Sequence, residues 1–321
     1  MFEEGKRGVA LVFPGQGAQK VGMGKDWAEQ HRLAREAFEE ADEALGMPLS
    51  RLCWEGPEED LQATANTQPA LLATSIAIYR VAAEAGLEAS LMAGHSLGEY
   101  TALVAAGALG FADALRLVRR RGELMQQAVP AGEGAMAAIL GLDDATVREV
   151  TAEAAGEQVC SAANYNSPGQ TVIAGHAGAV ARAVDLARER GARKSVLLKV
   201  SAPFHCALMR PAREALAPLL AAAQMADPRV PVITNVDARP VTTAAAARDA
   251  LVRQVDGPVR WVESVEWMAR EGGAGRFVEL GPAKVLSALI RRIVEGVEAV
   301  TLERPEQLDE ILLREASHVS T

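Results

Sequence analysis

The sequence predicts an α/β protein: a largely parallel sheet covered by helices, with a second unit of order β-α-β-β-α-β set into it. Three observations carry this expectation. Short apolar runs at 8–13, 91–93, 230–234 and 276–280 are each followed by a stretch of helical character. Residues 134–200 break that alternation with two strand-like runs joined by a tight turn. A serine flanked by glycines, Gly94-His95-Ser96-Leu97-Gly98, stands where a strand gives way to a helix.

In chain order, 8–13 (Gly-Val-Ala-Leu-Val-Phe) reads as a strand stopped by Pro14-Gly15-Gln16-Gly17, a turn that presents backbone amides at a sheet edge. Residues 26–45 read as one amphipathic helix. A second helix spans 68–85, with Thr67 as its cap and Pro69 in its first turn, where a missing N–H does no harm. The run 91–93 enters the glycine–serine turn, and 99–109 leaves it as a helix. Residues 112–128 form another helix, opened by Asp113 and closed before Pro130.

The inserted unit has strands at 134–140, 158–164, 170–175 and 194–200, and helices at 143–155 and 177–190. Tyr165-Asn166-Ser167-Pro168-Gly169 supplies its hairpin turn. After Ser201-Ala202-Pro203-Phe204-His205 the α/β alternation resumes. Helices are expected at 208–223, 244–254, 259–270 and 283–294, with strands at 230–234, 276–280 and 299–302. A short helix and a polar tail follow from Glu303.

The 321 residues suffice for one large core or two smaller ones. No apolar run reaches the roughly 18 residues of a membrane span, and Met1-Phe2-Glu3-Glu4-Gly5-Lys6-Arg7 does not read as a signal peptide. The net charge of −9 speaks against nucleic-acid binding and requires any acidic partner to dock on a local basic patch. Cys53, Cys160 and Cys206 are odd in number and scattered, which fits neither a disulfide framework nor a metal site. A cytoplasmic setting follows as the expectation.

The glycine–serine turn is the chemical focus. Held in a strained turn, Ser96 needs neighbours two positions away that lack side chains. It also lies at a helix N-terminus, where free N–H groups favour negative charge. A serine needs a base, and histidine titrates in the right range. Of the five histidines, His31 and His318 read as surface residues, and His176 follows a strand inside the insert. His95 abuts the serine, and adjacent side chains point apart there. His205, in the Pro-containing loop where the chain returns from the insert, is the remaining candidate.

No acid between Ser96 and His205 sits in a post-strand loop: Asp143, Asp144, Glu149 and Asp185 fall in helices or in the insert. A Ser–His dyad oriented by a carbonyl of Gln254 or Asn235 is the simpler arrangement. The N–H of Leu97, with that of Gln16, would serve an oxyanion. Arg116, Arg119, Arg120 and Arg121 share one helix, and three of them read as a solvated face. Arg121 has Met125 four positions on, and one cation beside one thioether suits a small acid with an apolar stem.

Five stretches add specificity in combination: Phe13-Pro-Gly-Gln-Gly-Ala-Gln19, Gly94-His-Ser-Leu-Gly-Glu-Tyr100, Asn164-Tyr-Asn-Ser-Pro-Gly-Gln170, Val200-Ser-Ala-Pro-Phe-His205 and Pro258-Val-Arg-Trp261. Together they closely resemble the malonyl-CoA:acyl carrier protein transacylases, which load extender units in fatty acid synthesis. The match covers nearly the whole chain. It implies a hydrolase-like catalytic subdomain of residues 1–130 and 201–321, and a ferredoxin-like subdomain of residues 131–200. It implies Ser96 as the nucleophile that carries a malonyl ester, and His205 as base, oriented by the main-chain carbonyl of Gln254. The N–H groups of Gln16 and Leu97 would form the oxyanion hole. Arg121 would pair bidentately with the malonate carboxylate, and Met125 and Asn166 would line the acyl pocket, with Gln254 also counted among the substrate-binding residues. Arg193 and Lys194 would meet the acidic carrier protein. Malonyl-CoA enters as substrate, so no cofactor and no metal are expected, and the enzyme is expected to be a monomer.

Two positions depart from the family pattern. Ala283 stands where glycine is expected, and Phe204 stands where many members have serine. In polyketide acyltransferase domains a Phe there accompanies malonyl choice. The rival readings are a serine esterase or thioesterase, which has no evident need of Arg121, a polyketide acyltransferase with another acyl unit, and a non-catalytic docking module.

Overall fold

The computed structural model describes residues 8–318, with side chains through Leu313. The expectations for the N-terminal seven residues and for the His318 side chain lie outside the described residues. The strands, in chain order, are β1 (Gly8–Phe13), β2 (Leu91–Gly94), β3 (Gly134–Leu140), β4 (Cys160–Ser167), β5 (Gln170–His176), β6 (Lys194–Leu197), β7 (Val232–Ile233), β8 (Pro240–Val241), β9 (Ala274–Leu280) and β10 (Glu298–Leu302).

Six of these form one sheet in the order β10-β9-β1-β2-β7-β8, parallel throughout except for the edge pair β7–β8. Its strands are nearly continuous apolar runs because helices cover both faces. Along β1, Leu11 and Phe13 enter one core, while Ala10 and Val12 enter a second core on the opposite face.

The other four strands form a separate sheet in the order β4-β5-β3-β6, with every neighbouring pair antiparallel. This is the expected β-α-β-β-α-β unit. Ala137, Ile139 and Ile173 pack on the helices Asp144–Ala155 and Ala177–Glu189. The alternate residues Met136, Val172 and Ala174 instead join the main core. The insert thus lays one sheet face over the C-terminal ends of the parallel strands. Two backbone bonds fasten it there, Val259 N–H to the Ala163 carbonyl (2.8 Å) and Tyr165 N–H to the Val259 carbonyl (2.9 Å).

Several boundaries differ from expectation. The single helix over 26–45 is two, Lys25–Gln30 and Arg32–Leu45, broken at an extended His31 (φ −124°, ψ 125°). Next to the break, the Trp27 ring packs against that of His31, and its Nε1 donates to the Glu303 carbonyl at 2.9 Å. The second helix runs Thr64–Glu84, so Thr67 and Pro69 lie inside it. Thr67 Oγ1 donates to the Leu61 carbonyl instead of capping. Two short helices, Leu49–Glu55 and Glu58–Gln62, precede it. Strand β4 continues through residues 165–167, so the turn shrinks to Pro168-Gly169. Strand β6 stops at Leu197. The helix expected from 283 starts at Leu286, where the buried Glu279 carboxylate accepts from the N–H groups of Val285, Leu286 and Ser287. Ala283 therefore lies in the preceding turn.

Candidate active site

Strands β1 and β2 are parallel neighbours with Phe13 opposite Gly94, so their C-terminal loops lie side by side. One loop carries Gln16 and the other Ser96. Helix Leu97–Ala105 opens directly after Ser96, whose backbone is in the left-handed region at φ 52°. The turn is closed too tightly for side chains at the flanking glycines. A Cβ on Gly94 would lie 1.9 Å from Gly98 backbone atoms, and one on Gly98 would lie 2.0 Å from the Phe13 carbonyl oxygen. Surrounding groups hold the strained serine. Its N–H donates to Asn235 Oδ1 (2.6 Å), and its carbonyl accepts from Gln254 Nε2 (2.9 Å). Asn235 Nδ2 also donates to the Gly94 carbonyl at 2.7 Å.

His205 Nε2 lies 2.7 Å from Ser96 Oγ. Its Nδ1 faces the carbonyls of Gln254 (3.0 Å) and Gly257 (3.1 Å). Carbonyls only accept, so Nδ1 carries the proton and Nε2 is the bare nitrogen turned to the hydroxyl. Burial, reinforced by the Arg121 charge, pushes the His205 pKa down to about 3 and keeps the ring neutral. Of the two carbonyl sources considered, Gln254 faces the base, while Asn235 holds the nucleophile's backbone. His95 points elsewhere, with Nε2 2.9 Å from Asn166 Oδ1 and its ring against Trp261. His176 Nδ1 accepts from the Val159 N–H within the insert.

Arg121 is buried at 1% exposure. It donates from Nη1 to Gln68 Oε1 (2.8 Å), and from Nη2 to Gln254 Oε1 (2.9 Å) and Ser96 Oγ (3.2 Å). Its Nε–H has no partner, and among the described residues no carboxylate lies within 4.0 Å of it. Burial works against its charge. The Tyr100 ring lies 5.6 Å away and offers the guanidinium a π face. Arg116, Arg119 and Arg120 instead pair with acids on their own helix.

These groups open onto a cavity of about 190 Å³, smaller than a site for a drug-sized ligand. Gln16, Ser96, Leu97, Arg121 and His205 face it, with Met125 and Asn166 among the walls. The N–H groups of Gln16 and Leu97 have no acceptor within the described protein. Gln254 does not reach the cavity. It is fully buried behind Ser96, which removes it from the substrate-contacting set and leaves it as a support.

The chain matches the model of the acyl transferase domain family over residues 10–305. It is 52% identical to the malonyl CoA-acyl carrier protein transacylase of Escherichia coli K12 over 300 residues, covering 93% of this chain and 97% of that one. It is 48% identical to the Bacillus subtilis transacylase over 302 residues, covering 94% and 95%. The crystal structure of an acyl carrier protein S-malonyltransferase from Vibrio cholerae matches with a TM-score of 0.92 at 51% identity, covering 94% of this chain and 99% of that one. This chain belongs to the malonyl CoA-acyl carrier protein transacylase family. A further solved relative is a malonyl-transacylase in complex with a type II PKS acyl-carrier protein, with a TM-score of 0.93 at 48% identity and coverage of 96% and 99%.

Against that family frame, Arg193 and Lys194 are exposed at the outer end of β6, the edge strand of the insert. Lys194 pairs with Leu140, four residues along β3 from the cavity-lining Met136. At about 3.3 Å per residue, that puts it roughly 13 Å from the cavity wall. Three supporting residues escaped sequence reasoning. Gln68 orients Arg121, Gly257 shares the His205 Nδ1–H, and Glu99 lies under the nucleophile. Glu99 Oε2 accepts from Asn235 N–H (2.8 Å) and Gln254 Nε2 (2.9 Å). Only its place in the Gly98-Glu99-Tyr100 stretch could have drawn attention to it. Among the described residues, no three His, Cys, Asp or Glu side chains gather as they would around a metal ion, and no helix is long and apolar enough to cross a membrane.

Proposed function

We propose that this chain moves a malonyl group from malonyl-CoA to the phosphopantetheine thiol of an acyl carrier protein in fatty acid synthesis, acting as an acyl-carrier-protein S-malonyltransferase. The observation that carries this reading is Arg121, a buried cation with no carboxylate within 4.0 Å among the described residues, whose Nη2 lies 3.2 Å from the nucleophile's oxygen. A hydrolase of neutral esters gains nothing from such a cation, whereas an acyl group ending in a carboxylate completes it.

In the proposed route, His205 Nε2 takes the Ser96 proton as Oγ attacks the thioester carbonyl. The carbonyl oxygen turns negative between the N–H groups of Gln16 and Leu97, each such donor contributing roughly 3 kcal/mol. The C–S bond then breaks, and the His205 proton passes to the CoA sulfur. Once Ser96 is an ester, Arg121 Nη2–H is released from Oγ and joins Nη1–H on the malonyl carboxylate. The carrier thiol attacks the ester by the same steps in reverse. A clamped acyl group in a small, largely apolar cavity is poorly placed for water, which favours transfer over hydrolysis.

The route calls on no cofactor, since malonyl-CoA is its substrate. Residues 1–130 and 201–321 act as the catalytic subdomain, and residues 131–200 as a ferredoxin-like subdomain that roofs the acyl pocket. Arg193 and Lys194 serve as a basic contact for the acidic carrier. A monomer suffices, because every group in the route belongs to one chain. The cytoplasm suits three buried free cysteines. The likeness to the transacylase solved with a type II PKS carrier motivates a second reading, service to a polyketide carrier.

The test is intact-protein mass after exposure to malonyl-CoA. One malonyl adduct should appear on Ser96 and be discharged by holo carrier protein. Release of CoA well beyond one equivalent without carrier would refute transfer. Comparing fatty-acid and polyketide carriers in the discharge step separates the two pathways.

A further inference from the structure

Arg121 and Glu99 are two buried charges joined by one side-chain amide. Gln254 Oε1 accepts from Arg121 Nη2 (2.9 Å), while Gln254 Nε2 donates to Glu99 Oε2 (2.9 Å). The amide can bridge them in only one orientation, with its oxygen to the cation and its nitrogen to the anion. Both bonds that reach Glu99 end on Oε2, and Oε1, fully buried, has no partner. The carboxylate is thus half-satisfied, and its charge leans on a cation one amide away.

We infer that Glu99 is a positioning residue whose carboxylate is the counter-charge of Arg121 in the empty site, and that it takes up a proton from solvent when a carboxylate-bearing acyl group occupies Arg121. The inference rests on the malonyl reading above. Two anions would otherwise share one cation in a low-dielectric interior, and the half-satisfied one is the easier to neutralise. The groups that face Glu99 fit this. Arg121 comes from the helix Phe111–Gln127, and Tyr100 is its neighbour on its own helix. Asp237 approaches from the loop after β7 but is spent on Arg253 (2.7 and 2.8 Å). His205 lies beyond Gln254 and stays neutral. Burial already raises the Glu99 pKa to about 7, so a modest further push crosses the working range.

The experiment measures Ser96 acylation by mass at sub-saturating malonyl-CoA and acetyl-CoA from pH 6 to 8, and takes the ratio of the two rates. His205 stays neutral across this range, and any pH effect on the shared Ser96 chemistry cancels in the ratio. With a further rise of about one pKa unit on binding, the malonyl/acetyl ratio should fall roughly fivefold from pH 6 to pH 8 in the unaltered protein. Glu99→Gln keeps an oxygen for both hydrogen bonds but cannot titrate, so its ratio should be flat and at least as high as the unaltered protein's at pH 6. Glu99→Ala, which strands both donors, should slow both thioesters together. A flat ratio in the unaltered protein overturns the inference without any variant. So does a Glu99→Gln profile that keeps the slope, or one that merely repeats Glu99→Ala. If no malonyl adduct forms on Ser96 at all while acetyl does, the malonyl reading fails first and this inference falls with it.

Discussion

Arg121 donates to Ser96 Oγ at 3.2 Å, on the same oxygen that lies 2.7 Å from His205 Nε2. The nucleophile therefore sits between a base and a cation before any substrate arrives. The cation lowers the cost of forming an alkoxide and is in place to grip a carboxylate afterwards. Arg121→Ala should reduce malonyl acylation by about a hundredfold or more, the equivalent of roughly 3 kcal/mol for a buried charge left unpaired. Acetyl acylation should fall much less, so the preference shifts toward neutral acyl groups. Competition between malonyl-CoA and acetyl-CoA read by adduct mass checks this, and an unchanged preference would remove Arg121 from the acyl site.

The Asn235 side chain spans the turn, taking the Ser96 N–H and giving a bond to the Gly94 carbonyl. Asn235→Ala leaves both groups buried and unpaired, which should destabilise the fold by about 2–4 kcal/mol. Acylation should slow about tenfold or more with little change in malonyl-CoA KM, because the serine is misplaced while the acyl walls persist. Thermal melts and single-turnover acylation report the two effects separately.

Gly98→Ala puts a methyl group 2.0 Å from the Phe13 carbonyl oxygen, a backbone atom that cannot swing aside. The expected outcome is loss of acylation together with a markedly lowered Tm or failure to accumulate folded protein. A Gly98→Ala protein with wild-type Tm would contradict the packing described for the elbow.

His205 is held neutral, with its pKa near 3 against an ordinary 6.5. Its folded pKa lies below its unfolded one, so the stability it contributes is present above pH 6.5 and lost as pH falls toward 3. Two outcomes follow. Acetyl acylation should stay nearly level from pH 8 to pH 5, without the usual histidine fall near pH 6.5. Acid unfolding should be shallower in a His205→Asn variant over that same window. Rate profiles and denaturant midpoints at several pH values check both.

Charge reversal at Arg193 and Lys194 tests their assigned role. The pair is exposed and lies about 13 Å from the cavity wall at roughly 3.3 Å per strand residue, so Ser96 acylation by malonyl-CoA should be unaffected. The KM for carrier protein should rise several-fold and become less sensitive to salt. An unchanged carrier KM would place docking elsewhere.

Patterns confined to a few neighbouring residues were legible in the sequence. The strand β1, the glycine–serine turn and the order of the insert were all visible, because apolar period and turn chemistry are local signals. Boundaries were lost where distant partners decide them. The break at His31 accompanies a Trp27 side chain that meets Glu303, and the start at Leu286 is capped by Glu279 from another element. The same division runs through the site. Ser96, His205 and Arg121 announced themselves by residue type and spacing. Gln68, Asn235, Glu99 and Gly257 did not, since their work is to hold other groups across separations of 19 to 155 positions. Asn235 holds the Ser96 N–H, while the carbonyl facing His205 comes from Gln254.

The Gly98 contact with Phe13 has a counterpart, since a Cβ on Gly15 would fall 2.3 Å from the His95 carbonyl oxygen. The two loops are pressed together with no slack, so the nucleophile and both backbone donors travel as one solid piece. Room for acyl groups of different bulk is then expected from the lining residues outside those loops, such as Met125, Val172, Leu198, Val200 and Phe204. On this packing, tolerance for acyl size should be separable from the machinery that makes and breaks the ester.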